Sequence, residues 1–90
     1  MIRKKIPIGN RVIIVNPGLC YPTYEEMAGK LKATKWLYNK DPSKGERGIV
    51  VAHSPHGNLA VNIYLVDIGE YEILMEYEGI KDLGSGEWDD

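Results

Sequence analysis

The sequence predicts a mainly β fold: a small, partly open barrel of four or five antiparallel strands, with one short helix inserted after the first strand. Three observations predict it. Short apolar runs, β-branched or alternating with polar residues, recur at positions 11–15, 48–53, 59–66 and 71–77. Gly, Pro and Asn residues that favour turns separate them. The apolar period changes from two to 3.6 over residues 24–33. In a chain of 90 residues, a curled sheet leaves the fewest unpaired edges.

Each element has its own signal. Arg11-Val12-Ile13-Ile14-Val15 lies between Gly9-Asn10 and Asn16-Pro17-Gly18, which reads as a strand covered on both faces and then a turn. Thr23 stands three positions before Glu26, the spacing of a capping box. Tyr24, Met27, Ala28 and Leu31 follow at i, i+3, i+4 and i+7, one face of a helix over 24–33. Gly29 weakens that helix by about 1 kcal/mol relative to Ala, and its short length requires packing against the sheet. Residues 34–47, punctuated by Asp41-Pro42-Ser43 and Lys44-Gly45, form a loop.

Residues 48–53 form the second strand, and 54–58 a turn with Gly57-Asn58 as its tight element. In 59–66, Leu59, Val61, Ile63 and Leu65 share one face, and Ala60, Asn62, Tyr64 and Val66 the other. Tyr71, Ile73, Met75 and Tyr77 alternate with Glu72, Leu74 and Glu76, a half-exposed strand with both tyrosines toward the core. Residues 78–83 supply a turn and a short last strand. The expected core is Val12, Ile14, Met27, Leu31, Ile49, Val51, Val61, Ile63, Leu65, Ile73 and Met75. The domain spans 9–83, between a basic arm (1–8) and a flexible acidic tail (84–90) whose Trp88 is either loose or docked.

Composition narrows the function classes. With 43% hydrophobic and 27% charged residues, the chain is not a disordered, collagen-like or coiled-coil sequence. A small core without Phe leaves little room for a deep catalytic pocket. The longest apolar run, residues 12–15, is far short of the roughly 20 residues of a membrane span, and no leader pattern follows Arg3-Lys4-Lys5. One cysteine, Cys20, fits a reducing compartment, so the expected setting is cytoplasmic. Charge is polarised: residues 1–11 hold four bases and no acid, and residues 65–90 hold nine acids against Lys81. Such polarity either orients a partner or is a solvated surface.

Two stretches resemble known proteins. Gly9-Asn10-Arg11-Val12-Ile13-Ile14-Val15, the G-x-x-G-x-V-V run Gly45-Glu46-Arg47-Gly48-Ile49-Val50-Val51 after Lys44, Tyr71-Glu72-Ile73-Leu74 and Ile80-Lys81-Asp82-Leu83 resemble an SH3-like barrel of the KOW type. The resemblance implies contacts with RNA or protein, and a close backbone approach at Gly48. Pro22-Thr23-Tyr24-Glu25-Glu26-Met27-Ala28 followed by Trp36 is similar to small uncharacterised proteins of tailed bacteriophages, which would place the chain in a bacterial host's cytoplasm.

Tyr21, Tyr24, Trp36, Tyr38 and Tyr64 are candidates for an aromatic groove that binds a protein partner; alternatively, several of them pack the Phe-less core. Lys30, Lys32, Lys35, Lys40, Lys44 and Arg47 interleave with Trp36 and Tyr38. That pattern suits phosphates and stacked bases, or alternatively a solvated helix end with Trp36 and Leu37 as a core plug. His53 and His56 sit three apart, but a metal needs further ligands, so no metal and no cofactor is expected. Cys20 and Ser54 lie in no nucleophile motif, and no phosphate-binding loop is present. Glu72 and Glu76, about 13 Å apart along a strand, are too distant for a glycosidase pair and read as a solvated or partner-attracting face. The expectation is a non-enzymatic protein-interaction module, with a nucleic-acid-binding domain and a minor virion component as alternatives, of unknown oligomeric state.

Overall fold

The structure, a computed structural model, describes residues 6–54 and 63–85. Five strands, β1 (Arg11–Ile14), β2 (Arg47–His53), β3 (Ile63–Asp67), β4 (Glu72–Glu76) and β5 (Ile80–Gly84), form one antiparallel sheet in the order β4-β3-β2-β1-β5. The sheet is not closed, and one helix, α1 (Glu25–Lys30), lies between β1 and β2. This arrangement is compatible with an SH3-like barrel. Residues 1–5 of the expected arm, 55–58 of the turn, the strand residues 59–62 with Val61, and 86–90 of the tail with Trp88 lie outside the described residues. Of the rest, Ile6 of the arm is buried in the core and Gly84 of the tail ends β5 opposite Arg11.

The sheet buries side chains on both faces. Val12, Ile14, Val50, Tyr64, Val66, Ile73 and Met75 fill one cluster with Ile6, Tyr71 and Ile80. Ile63, Leu65 and Leu74 meet Met27 and Ala28 of α1 in a second, with Tyr21, Leu31, Ala33 and Trp36 packed against it. β3 therefore serves both clusters, and its Ile63–Val66 run is fully buried. Placing β4 as half-exposed is corrected: Glu72, Ile73, Leu74 and Met75 are all buried, because the segment between β1 and β2 covers its outer face.

The phase of β2 also differs from expectation. Val50 is buried, whereas Ile49 and Val51 are each 37% exposed. Ile-Val-Val has no polar residue to mark its phase, so alternation alone leaves the inward face open. Gly48 sets it: it faces Val12 across β1, and a Cβ there would meet the Asp67 carbonyl oxygen at 2.5 Å and Val66 Cγ1 at 2.7 Å. The inward slot at Gly48 brings Val50 inward, and a register shift between Val50 and Ala52 absorbs Val51.

Helix α1 is shorter than the predicted 24–33. Its end is a Schellman motif: Ala33 N–H donates to the Ala28 carbonyl at 3.0 Å and Lys32 N–H to Gly29 at 3.0 Å. Lys32 occupies the left-handed position (φ 60°) that usually belongs to Gly, so no glycine marked the stop. The capping box does not form. Tyr24 is the N-cap without a side-chain bond, and Glu26 instead pairs with Lys30 at 3.7 Å. The Asn16-Pro17-Gly18 turn does form, as a 3-10 turn at Pro17–Leu19 with the Asn16 side chain accepting from Gly18 N–H at 3.1 Å.

Gly48→Ala is expected to cost about 1–3 kcal/mol through overpacking against β3, read as a fall of several degrees in thermal unfolding followed by circular dichroism. An unchanged Tm would contradict the close approach of β2 and β3.

Candidate functional site

The free edge of β4 is the foundation of the site. Two stretches of the segment between β1 and β2 lie along it: Tyr21 N–H donates to the Leu74 carbonyl at 2.8 Å, and Glu72 N–H donates to the Lys35 carbonyl at 3.1 Å. Cys20 bridges Met75, and Trp36 bridges Glu72. The Glu72 carboxylate is buried, and it accepts from the backbone N–H of Thr34 at 2.8 Å and of Lys35 at 2.7 Å. Such charge-assisted bonds offset the cost of burying a carboxylate. Glu72 is thus a fastener and not the solvated face the alternation suggested. Glu76 accepts from the Tyr21 hydroxyl at 3.3 Å.

Four of the five predicted aromatic residues come together on this scaffold. Tyr21 and Tyr24 rings meet edge-on at 6.2 Å, and Trp36 and Tyr38 at 6.0 Å. Asn39, itself left-handed (φ 62°), donates its N–H to the Pro22 carbonyl at 2.6 Å and so ties the loop after Tyr38 to the segment between Tyr21 and Tyr24. Tyr21 and Trp36 are half-buried, resting on the α1 cluster. Tyr38 is 64% exposed and Leu37 50%. Trp36 is therefore a partial plug that keeps part of its surface in solvent. Leu37, read with Trp36 as a core plug, is instead a surface residue, although an apolar residue between two aromatics in a polar loop is a usable signal of one.

Tyr64 is not part of this surface, and its assignment to the groove is corrected. It is 1% exposed, packs against Tyr77 at 6.2 Å and accepts at its hydroxyl from Ile6 N–H at 3.1 Å. In a core without Phe, Tyr fills the space and its hydroxyl finds a backbone donor.

The six basic candidates do not present six free charges. Lys30 pairs with Glu26, Lys35 bonds Asp67 at 2.9 Å and the Gly69 carbonyl at 2.9 Å, and Lys40 stands 5.0 Å over the Tyr71 ring. Lys32, Lys44 and Arg47 are exposed. The hydrogen bond from Lys35, helped by the Gly69 N–H, holds the Asp67 carboxyl below its ordinary range.

The nucleophile candidates sit in quiet surroundings. Burial, then the neighbouring Asp41, push the Cys20 thiol up, which disfavours the thiolate. The Ser54 hydroxyl is buried with no hydrogen-bond partner among the described residues. His53 Nδ1 contacts the Ser54 carbonyl at 3.0 Å, and His56 lies outside the described residues. Among the described residues no group of three or more His, Cys, Asp or Glu side chains is arranged to hold a metal, and no helix is long and apolar enough to cross a membrane. Comparison with family models, curated proteins and solved structures finds no match.

Tyr71 ties the loop before β2 to the core. Its hydroxyl donates to Glu46 at 2.9 Å, and the same Glu46 oxygen accepts from Ser43 N–H at 2.8 Å. Burial, reinforced by Glu46, pushes the Tyr71 phenol up to about 12 from its ordinary 10.0. A phenol raised on folding stabilises the fold fully below its unfolded value, and that contribution is lost as pH rises through the folded one. Stability should therefore fall between pH 10 and about 12, and denaturant melts of Tyr71→Phe should show a shallower fall. An identical slope in wild type and variant would remove Tyr71 as the cause.

Proposed function

We propose that this domain is a non-enzymatic binding module that docks a protein partner on the surface of Tyr21, Tyr24, Trp36, Leu37 and Tyr38. The observation that supports it most is that Leu37 and Tyr38 are left largely in solvent beside the edge-on Trp36–Tyr38 pair, on a loop that the Asn39–Pro22 bond ties to the segment carrying the Tyr21–Tyr24 pair. Aromatic side chains of this kind combine large contact area with few torsions to freeze, and they dominate the energetic centres of interfaces. The underlying rings are held by the β4 edge and by α1, so little ordering cost remains for binding. The partner is a protein met in the cytoplasm, and in a bacterial host if the chain is phage-encoded.

The test is a paired capture. Immobilised wild type and a Leu37→Ser/Tyr38→Ala variant are exposed to bacterial lysate, and the retained protein is then titrated against both. The proposal expects one stoichiometric species whose affinity drops by about 30-fold or more in the variant, the scale of losing an interface hot spot. Equal retention by both proteins would refute the surface. Retention of single-stranded DNA that weakens steeply with salt, and that is lost on Lys32→Glu/Lys44→Glu/Arg47→Glu but not on the aromatic variant, would replace a protein partner by a nucleic acid.

A further inference from the structure

Beside the aromatic surface, Glu25, Ala28 and Gly29 of α1 face Ala33, Thr34 and Trp36 across a cavity of about 200 Å³. Small-molecule sites usually hold roughly 300–1,000 Å³, so the size suits a single side chain. Its chemistry is specific. Ala28 and Ala33 supply apolar wall, Trp36 an indole, Thr34 a hydroxyl and Glu25 a carboxylate. No basic residue is among the six that line it. Lys30 is engaged by Glu26, and Lys35 turns away to Asp67. Glu25 has no ion pair among the described residues, and the Glu72 carboxylate lies behind Thr34, with 3.5 Å between Thr34 Oγ1 and Glu72 Oε2.

Gly29 adds an independent observation. It is helical, its φ is not in the left-handed region, and a Cβ there would have nothing within 4 Å. Neither backbone nor packing needs glycine at this position, although it costs about 1 kcal/mol of helix propensity. A side chain there would extend into the space that Glu25, Ala33, Thr34 and Trp36 also line.

We infer that this cavity receives a lysine or arginine side chain of the protein partner. The alkyl stem lies on Ala28 and Ala33, and the cationic head sits between the Glu25 carboxylate and the Trp36 indole. Carboxylate and aromatic ring both attract a cation, and an open apolar wall accepts the methylenes of either residue. The inference rests on the protein-docking reading above and names the charge its partner brings.

The experiment is an NMR titration of the full chain with blocked tripeptides carrying Lys, Arg, norleucine or Glu between two glycines. The Lys or Arg peptide should give saturable shifts at the amides of Gly29 and Ala33 and at the Trp36 indole N–H, and the tighter of the two names the side chain. Glu25→Gln should weaken that binding on the order of three-fold, the scale of an exposed ion pair. Gly29→Leu, which fills open space on a helix, should abolish it with the fold intact. Equal shifts with norleucine or Glu, or shifts that neither variant alters, would overturn the inference. With the captured partner, loss on Leu37→Ser/Tyr38→Ala but unchanged affinity on Glu25→Gln would sink the cavity and leave the aromatic surface standing. Undiminished affinity in the aromatic variant would sink the docking reading itself.

Discussion

A buried carboxylate on β4, an edge strand of the sheet, holds the surrounding segment in place. Glu72 gives its two short acceptances to the backbone N–H groups of Thr34 and Lys35, and its own N–H goes to the Lys35 carbonyl. These bonds lay the chain after α1 along the edge of β4, where unpaired backbone groups would otherwise invite another strand. They also fix the start of the Trp36–Tyr38 pair. Removing the carboxylate would leave two donors and an apolar gap together, which costs more than the mean hydrogen bond contributes.

That fastening accounts for how the outer face of the sheet is covered. Holding the insert against β3 and β4 buries Ile63, Leu65 and Leu74 on the outer face. The inner face is closed by Val12, Ile14, Val50, Tyr64 and their neighbours. Two clusters on either side of a shared pair of strands allow a chain of this size to bury a core without Phe. The insert meanwhile keeps Tyr24, Leu37 and Tyr38 outside, because its inner positions are already taken by Tyr21, Met27, Ala28 and Trp36. The same packing that covers β4 produces the exposed aromatic surface.

Much of the fold was legible in the sequence, for physical reasons. Turn residues and β-branched runs located the strands, and Asn16-Pro17-Gly18 located a capped turn. The gaps have reasons too. The phase of β2 depends on what Gly48 meets across β3, a tertiary fact. The stop of α1 rests on Lys32 in a conformation that composition does not signal. Alternation could place Glu72 opposite Ile73 but could not show that the backbone of Thr34 and Lys35 would come to meet it. Of the aromatic residues singled out in the sequence, Tyr21 and Tyr24 form one edge-on pair and Trp36 and Tyr38 another. Tyr64 was misassigned because an aromatic residue carries no mark that separates core from surface in a Phe-less chain.

The most direct test of this account is amide hydrogen exchange at Thr34 and Lys35, which reads the fastening at the atoms that make it. Both amides lie outside regular secondary structure, yet the account predicts protection comparable to the β4 amides. In Glu72→Ala that protection should vanish at Thr34 and Lys35, while Val12 and Val50, in the opposite cluster, keep theirs. Exchange at open-loop rates in the wild-type protein would contradict the account.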